Sequence, residues 1–286
     1  MPRMPEGPEV ETVRRTLLPL LVARVLGRPS VSTKALRTRV STRSLSHLEG
    51  KRVVDVGRHG KTLFIALDDG GGVCVHLGMT GRLLVVDAAA ARAPHTHVRV
   101  PLTVPAGPAR ELRYVDARRF GAFVPYADEA ARARVVAGMG PDGLALDGPD
   151  GRALVAAALA RTRRSLKDAL LDQRVVAGVG NIYAAEILWT ARLSPFRASS
   201  SLKADEARRL LDAVGAVLAA AVARRGTSFS DYVDATGAPG ENAQHLAVFQ
   251  REGEPCPACG TTVLRKVQGQ RSTFYCPRCQ RRPRLG

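Results

Sequence analysis

The sequence predicts an α+β protein with more than one domain, and three observations support this prediction. Short apolar runs separated by Gly and Asp occupy residues 50–126, apolar residues at helical spacing occupy 151–225, and two Cys-x-x-Cys pairs lie within 251–286. The length of 286 residues favours about two domains. A composition of 45% hydrophobic and 24% charged residues is typical of a globular protein and excludes collagen-like and disordered chains.

The first predicted element is a helix over residues 8–26. Pro8 suits the first turn of a helix, where no N–H is required, and Pro19 predicts a kink or an early end. One face carries apolar residues three or four positions apart, which favours packing of this helix on a core. These residues are Val10, Val13, Leu17 and Leu21.

Seven short apolar runs follow, and each predicts a strand. Several short strands at this spacing are typical of a sandwich or a barrel. Cys74 lies within one run, and an unpaired cysteine at such a position is expected in the core. The runs are residues 51–60, 61–70, 71–80, 81–88, 95–104, 111–117 and 120–127.

The next part of the chain predicts a linker, helices and a loop. Residues 127–150 are rich in Ala and Arg and end in a stretch rich in Gly, Pro and Asp, which favours a linker. Apolar periodicity predicts helices over 152–173, 181–192 and 204–226. Residues 226–250 have a turn-like composition and predict a loop.

The charge balance indicates a polyanionic partner. Lys and Arg number 43 against 26 Asp and Glu, which gives a formal charge of +17 and a pI near 10.7. This favours nucleic acid over an acidic membrane surface. The longest apolar run, 213–223, is shorter than the roughly 18 residues that a membrane span needs. The N-terminus lacks the apolar stretch of a secretory signal, so we expect a cytoplasmic protein.

Four cysteines near the C-terminus predict a structural zinc site. Their thiolates form two Cys-x-x-Cys pairs that can surround one tetrahedral Zn²⁺ and leave no open position for catalysis. Strand-forming residues between the pairs predict a β-hairpin finger, and Arg265, Lys266 and Arg271 predict that the finger faces DNA. The four ligands are Cys256, Cys259, Cys276 and Cys279.

Two further segments contain residues that are suited to ligand binding or catalysis. Residues 178–183, Gly-Val-Gly-Asn-Ile-Tyr, form a Gly-rich turn that opens a helix, where backbone N–H groups bind phosphate well. Close packing explains such glycines equally often. Residues 5–11, Pro-Glu-Gly-Pro-Glu-Val-Glu, combine a proline, carboxylates and a helix start, which helix capping explains in part.

Five segments together resemble the bacterial formamidopyrimidine-DNA glycosylase family, which also contains endonuclease VIII. They are PEGPEVETVRR, HLGMTGRL, DARRFGAF, GVGNIYAAE and the terminal CPAC…QRSTFYCPRC, in the family's order. The resemblance implies an N-terminal β-sandwich with a leading helix, a helix–two-turn–helix module and a zinc finger. The implied divisions are a catalytic domain 1–130, a linker 131–150, a DNA-binding domain 151–245 with a lesion-covering loop, and a finger 246–286.

The resemblance also implies base excision repair. Family members excise oxidised purines, 8-oxoguanine and formamidopyrimidines, through a Schiff base on an N-terminal proline, and then cut the abasic strand by β,δ-elimination. An internal proline nitrogen is an amide and cannot react in this way. The register therefore predicts a start at Met4 and Pro5 as nucleophile, whereas a start at Met1 exposes Pro2, followed by Arg3.

Other catalytic roles follow from the same resemblance. Glu6 corresponds to the general acid/base, and Glu9 to a supporting carboxylate nearby. Lys61 corresponds to a lysine that contacts phosphate and assists β-elimination. Arg271 corresponds to a finger-tip arginine that grips the phosphates beside the lesion and serves δ-elimination.

The resemblance further assigns contacts with damaged double-stranded DNA. A base that leaves the stack creates a gap, which other side chains must fill. Met79, Arg118 and Phe120 correspond to these fillers, with core packing as the alternative for the two apolar residues. Asn181 corresponds to a phosphate ligand at its helix N-terminus. Weaker DNA-contact candidates are His76, His95 and Lys167.

Two alternatives for the activity remain open. The Met-Pro-Glu-Gly opening resembles endonuclease VIII, which acts on oxidised pyrimidines, and Glu241 and Asn242 stand where an aromatic residue usually follows the loop's Pro-Gly. A non-catalytic lesion-binding member of the family is the second alternative. We expect one zinc ion, a monomer, no membrane partner, and a location at the bacterial nucleoid.

Overall fold

The computed structural model describes residues 4–34, 36–103, 108–229 and 232–281. The chain forms two compact units. The first contains Met1–Pro5, Glu9–Ala137 and Arg224–Glu241, and the second contains Glu6–Pro8, Gly138–Ala223 and Asn242–Gly286. Among the described residues, no helix is long and apolar enough to cross a membrane.

A β-sandwich forms the first unit, as the family resemblance implied, so of the two folds that the strand pattern left open the described residues form the sandwich and not the barrel. Its strands are β1 (Val25–Leu26), β2 (Ser30–Val31), β3 (Val53–His59), β4 (Thr62–Leu67), β5 (Gly72–His76), β6 (Gly81–Asp87), β7 (Thr96–Thr103), β8 (Arg110–Asp116) and β9 (Ala122–Tyr126). One sheet has the order β1-β7-β8-β6, with β2 also paired to β7, and the other has the order β3-β4-β5-β9. Every described strand pair in these sheets is antiparallel. Six of the seven predicted runs contain one of these strands, and the run 111–117 overlaps β8, which begins one residue earlier.

Helix α1 (Gly7–Leu21) and both sheets share one apolar core. All four residues of the predicted stripe are buried, which confirms the helical period. Pro19 lies in the last turn, two residues before the helix ends. Cys74 is also in an apolar interior, in a separate small cluster with Phe64 and Tyr126, as expected. The unit's other helices are α2 (Thr42–Leu45) and α3 (Glu129–Val136), and α3 occupies part of the predicted linker.

The second unit combines helices with a β-hairpin around one core. The predicted helix over 152–173 is two helices, because Ser165 starts a new one by accepting the N–H of Asp168. The predicted hairpin between the cysteine pairs is confirmed. The elements are α4 (Pro149–Ala160), α5 (Leu166–Leu171), α6 (Asn181–Thr190), α7 (Ala204–Ala223), β10 (Leu264–Gln268) and β11 (Arg271–Tyr275).

Residues 224–241 contact the sandwich, although they follow the helices in sequence. The backbone N–H of Ala235 donates to Thr16 Oγ1 at 3.2 Å, and its carbonyl accepts from the N–H of Val85 at 3.0 Å. This segment therefore adds to the surfaces of α1 and β6. The implied domain 151–245 follows sequence order and groups the segment with the helices instead.

A carboxylate on α1 ties this helix to β3. Glu11 Oε1 accepts from Arg14 and Arg15, each at 2.8 Å, and Oε2 accepts from Arg58 Nε at 3.1 Å. Burial alone would raise the pKa of Glu11, but hydrogen bonds from the three arginines outweigh it and lower the pKa to about 2. Arg58 Nη1 also donates to the carbonyl of Gly60 at 2.8 Å. The ion pair therefore shapes the turn between β3 and β4.

The Glu11→Gln variant is expected to be less stable at pH 7 by about 1.5–3 kcal/mol, because charge-assisted hydrogen bonds weaken. The folded-state pKa lies below the ordinary value of 4.5, so this stabilisation is complete above that pH and is lost as pH falls toward about 2. Thermal unfolding of both proteins, followed by circular dichroism across this pH range, measures the difference in Tm.

The difference in Tm between wild type and Glu11→Gln should shrink as the pH falls. Glu49→Gln changes an exposed carboxylate and is the matched control, for which we expect no change in Tm. A difference that stays constant across the pH range would contradict the assignment of the stabilisation to ionised Glu11.

Candidate functional site

Glu6 caps the N-terminus of α6. Its Oε2 accepts the N–H groups of Gly180 at 2.8 Å and Tyr183 at 3.2 Å, and its Oε1 accepts that of Ile182 at 2.8 Å. Such N–H groups have no partner inside a helix, and the helix dipole favours an anion there. The sequence left phosphate binding and close packing open for this turn. The structure places the Glu6 side chain, only 4% exposed, on these N–H groups.

Glycines let the turn before α6 approach Glu6 closely. A Cβ on Gly180 would lie 2.3 Å from Cδ of Glu6, which excludes every larger side chain at the present position of the carboxylate. Gly178 has a φ of +99°, in the left-handed region that favours glycine. Gln173 Oε1 accepts the N–H of Gly178 at 3.0 Å and holds the turn in this shape. The Gly-x-Gly pattern therefore allows the Glu6 carboxylate to reach the N–H groups at the start of α6.

Polar side chains of the second unit hold the tip of the hairpin. Lys167 Nζ donates to the carbonyl of Ser272 and to Thr273 Oγ1, both at 2.7 Å. Asn181 Nδ2 donates to the carbonyl of Ser272 at 3.2 Å, whereas its buried Oδ1 has no hydrogen-bond partner among the described residues. Arg271 is the first residue of β11 and is exposed. The two side chains thus fix the strand that begins with Arg271.

Lys167 lies beneath the hairpin and is 1% exposed. Burial lowers the pKa of its ammonium to about 8, and the nearby Arg271 charge acts in the same direction. Attraction to Asp168 and Glu6 opposes this shift. The sequence predicted a DNA contact for Lys167, and the structure places its ammonium on the hairpin backbone.

The four predicted cysteine ligands converge on one point. All four Sγ atoms lie within 4.8 Å of one another, with Cys256–Cys279 at 3.9 Å and Cys259–Cys276 at 3.5 Å. Zn–S bonds of about 2.3 Å in a tetrahedron require sulfur atoms about 3.8 Å apart, so the cluster fits one zinc ion. Trp189 Nε1 donates to Cys256 Sγ at 3.4 Å, which supports a thiolate there. The site closes the finger and leaves no position for a substrate.

Lys61 lies in the turn between β3 and β4 and is 9% exposed. Arg58 shapes this turn by donating to the carbonyl that precedes Lys61. Burial lowers the pKa of His76, and the charges of Lys61 and Arg37 lower it further. His76 Nδ1 accepts the N–H of Gly78 at 3.0 Å, which requires a neutral nitrogen at this position. His76 therefore shapes the turn after β5.

Glu9 holds the start of the segment 226–241. Its Oε1 accepts the N–H of Thr227 at 2.7 Å, and its side chain is fully buried. Gly226 has a φ of +79°, and a Cβ there would lie 2.9 Å from Glu9 Oε1, so the contact requires glycine. Residues 230–231 of the predicted lesion-covering loop lie outside the described residues.

The three predicted gap-filling residues lie on neighbouring turns of the sandwich. Phe120 is 45% exposed, and the Arg118 guanidinium carbon lies 4.8 Å from its ring centre. Met79 is half-buried. Gly78 has a φ of +62°, and a Cβ there would lie 2.6 Å from the nitrogen of Gly121, so the turns meet at backbone distance. The exposure of Phe120 excludes core packing as the reason for this residue.

The predicted site residues divide between the two units. Pro5 is buried and His95 is exposed. The first unit contains Pro5, Glu9, Lys61, His76, Met79, His95, Arg118 and Phe120. The second unit contains Glu6, Lys167, Asn181, Arg271 and the four cysteines.

Sequence reasoning missed the residues that support these groups. Arg58 precedes Lys61 by three positions, Gln173 precedes the Gly-x-Gly turn, and Asp116 begins the segment DARRFGAF. Each carries a polar side chain next to a motif, which is the only signal that the sequence offers. Their partners became evident only with the fold.

Family models match most of the chain. Residues 4–123 match the formamidopyrimidine-DNA glycosylase N-terminal domain, residues 136–233 match its H2TH domain, and residues 253–282 match a zinc finger found in FPG and IleRS. The formamidopyrimidine-DNA glycosylase of Edwardsiella ictaluri is 41% identical over 278 residues, which cover 97% of this chain and 100% of that protein. The formamidopyrimidine-DNA glycosylase of Moorella thermoacetica is 43% identical over 266 residues, which cover 92% of this chain and 94% of that protein.

Solved structures agree with this match. The MutM (Fpg) protein of Thermus thermophilus has a TM-score of 0.81 and 40% identity, with 96% of this chain and 98% of that chain covered. Lactococcus lactis Fpg in complex with DNA that contains an abasic site has a TM-score of 0.86 and 29% identity, and the match covers 97% of this chain and 100% of that chain. The chain therefore belongs to the formamidopyrimidine-DNA glycosylase family, whose members are DNA glycosylases of base excision repair.

Proposed function

We propose that the chain excises oxidised purines from double-stranded DNA and then cuts the abasic strand, with the amine of Pro5 as nucleophile. The capping of α6 by Glu6 carries this proposal, because it fixes the residue that directly follows Pro5. The family match begins at residue 4, which supports Met4 as the start and its removal to expose Pro5. A secondary amine without an acyl group can then attack.

The proposed reaction begins at C1′ of the damaged nucleotide. The Pro5 nitrogen bonds to C1′ as the bond from C1′ to the base breaks, and the base leaves with a proton. Loss of the amine proton and opening of the sugar then give the Schiff base. Glu6 carries protons between these groups, a role that typically contributes about 10²–10⁴ in rate.

The remaining charged residues serve strand cleavage and DNA binding. Lys61 contacts phosphate and assists β-elimination, and Arg271 at the hairpin tip grips the phosphates beside the lesion and serves δ-elimination. Glu9 supports the site and holds the loop that covers the lesion. The formal charge of +17 favours attraction to the DNA backbone that weakens with salt.

The lesion must leave the base stack before it reaches the amine. Met79, Arg118 and Phe120 fill the gap, and the planar guanidinium of Arg118 pairs with the edge of the orphaned base. The exposed stack of Arg118 on Phe120 supports this role. A mutant of Lactococcus lactis Fpg, 29% identical, is known in complex with DNA that contains Fapy-dG, which supports a purine substrate. The wild-type protein is also known in complex with DNA that contains an oxidised pyrimidine, which supports the alternative substrate class as well. The monomeric state stays a prediction.

Borohydride trapping on a duplex that contains 8-oxoguanine opposite cytosine tests the nucleophile. We expect the native protein to form a covalent adduct and Pro5→Gly to lose it, because reduction fixes only a Schiff base. Pro2→Gly, introduced in the gene, is the control and should retain the adduct, because the proposed start at Met4 leaves Pro2 out of the protein. Intact mass of the protein from its native host should show Pro5 as the first residue. A mature terminus at Pro2, or DNA binding without an adduct, refutes the assignment.

Gly180→Ala tests the position of Glu6 without changing Glu6 itself. The added Cβ would lie 2.3 Å from Glu6 Cδ, so the carboxylate must move. Single-turnover excision of 8-oxoguanine should slow by about 10²-fold or more. Gly215→Ala is the matched control, because nothing lies within 4 Å of the added Cβ, and it should keep the wild-type rate. An unchanged rate in Gly180→Ala would sink the proposed role of Glu6.

Cys256→Ser tests the finger. Loss of a zinc ligand should lower the zinc content and weaken DNA affinity by about tenfold or more, since Arg271 loses its fixed position. Zinc analysis and fluorescence anisotropy with labelled duplex measure both quantities. Cys74→Ala, a cysteine outside the cluster, should retain zinc and affinity. Unchanged DNA affinity in Cys256→Ser would count against the finger as a DNA contact.

A further inference from the structure

Asp116 lies at the end of β8 and is fully buried. Within the described residues no lysine or arginine pairs with its carboxylate. A buried carboxylate without a cation is costly unless N–H and O–H donors replace water. Such a residue is retained where its hydrogen bonds fix a particular arrangement, so its donors indicate what it fixes.

The two shortest hydrogen bonds to the Asp116 carboxylate come from the two turns that carry the gap-filling residues. Oδ1 accepts the hydroxyl of Thr80 at 2.6 Å, and Thr80 directly follows Met79. Oδ2 accepts the N–H of Gly121 at 2.9 Å, and Gly121 directly follows Phe120. One carboxylate therefore joins both turns, with one oxygen on each.

The hydroxyl of Thr80 extends this connection to the third filler. Thr80 Oγ1 accepts the backbone N–H of Arg118 at 3.1 Å while it donates to Asp116. A hydroxyl can do both at once, because it has one hydrogen and two lone pairs. The two hydrogen bonds from Asp116 through Thr80 to Arg118 fix the backbone of Arg118, and with it the point from which the arginine side chain extends.

The hydroxyl of Tyr114 also lies next to the Asp116 carboxylate. Tyr114 Oη lies 3.4 Å from Asp116 Oδ2 and 3.2 Å from the carbonyl oxygen of His76. A Cβ on Gly121 would lie 1.8 Å from this Oη, so only glycine allows the approach. The backbone N–H of Asp116 also donates to the carbonyl of His95 at 3.0 Å. A third predicted DNA-contact turn is thus tied to the same residue.

We propose that Asp116 is the positioning residue for the gap-filling group: through Thr80 and Gly121 it holds Met79, Arg118 and Phe120 in one arrangement before DNA binds. This rests on the proposed function, in which these side chains enter the duplex. Side chains that are already ordered lose less entropy on insertion, so the arrangement lowers the cost of extruding the lesion. Asp116 does not touch DNA in this role.

Thr80→Val and Thr80→Ser separate this role from a general effect on folding. Valine keeps the shape of the half-buried side chain but removes the hydroxyl, whereas serine keeps the hydroxyl. Thr80→Val should slow excision of 8-oxoguanine from duplex DNA by about 10- to 100-fold. Thr80→Ser should remain close to wild type. Asp116→Asn should resemble Thr80→Val, and Thr103→Val, an exposed strand residue, is the matched control.

Cleavage at a preformed abasic site is the second readout, because no base has to leave the stack there. It should change by less than about threefold in Thr80→Val. The fluorescence rise of 2-aminopurine placed opposite the lesion, which reports unstacking on binding, should be reduced in the same variant. The positioning role is supported if Thr80→Val reduces both the excision rate and the 2-aminopurine signal while Thr80→Ser keeps both near the wild-type values.

Two outcomes overturn the inference while the proposed function stands. Excision by Thr80→Val at the wild-type rate is one, and an equal fall of excision and abasic-site cleavage is the other. The proposed function itself fails on a different result, the absence of excision and adduct in the wild-type protein. Asp116→Asn can unfold, since it changes a buried carboxylate, and the Thr80 pair decides the question without it.

Discussion

The capping of α6 by the Glu6 carboxylate is the interaction on which the rest of the site depends. A chain terminus has few restraints of its own, so an amine at that position needs a neighbour with a fixed place. Glu6 takes that place from three backbone N–H groups, which a helix end presents in a set geometry. The residue that follows the proposed nucleophile is therefore held by secondary structure, and an anion at residue 6 suits both the N–H donors and the helix dipole.

The same helix also anchors the finger. Glu186 in α6 accepts the N–H groups of residues 247–249, the segment that leads to the first cysteine pair. Burial raises the pKa of Glu186, and these three donors oppose that shift. At the end of α6, Trp189 donates to Cys256. One buried helix thus sets the positions of Glu6 and of the zinc cluster, so a shift of α6 affects both.

Periodicity predicted the leading helix because core residues must recur with the period of their element. The short apolar runs predicted the strands but left a sandwich and a barrel open, and the family resemblance implied the sandwich. It did not predict Glu6 on α6, since phosphate and carboxylate satisfy the same N–H groups and only the path of the chain decides between them. Asp116 was missed for a related reason: an Asp at a strand end is an ordinary turn residue until its partners are known. The zinc cluster was predictable because its four ligands follow a fixed spacing.

Segment 224–241 returns to the sandwich late in the sequence. Ala235 donates to Thr16 across 219 positions and accepts the N–H of Val85, so the first unit gains these contacts only after the helices have been passed in sequence. Closing a loop of this length costs entropy before any contact is gained, and such contacts form slowly. During synthesis these contacts therefore form only after residues 224–241 have been made. The first unit therefore gains its last surface contacts only when most of the chain has left the ribosome, although all strands of its sheets lie in the first half of the sequence.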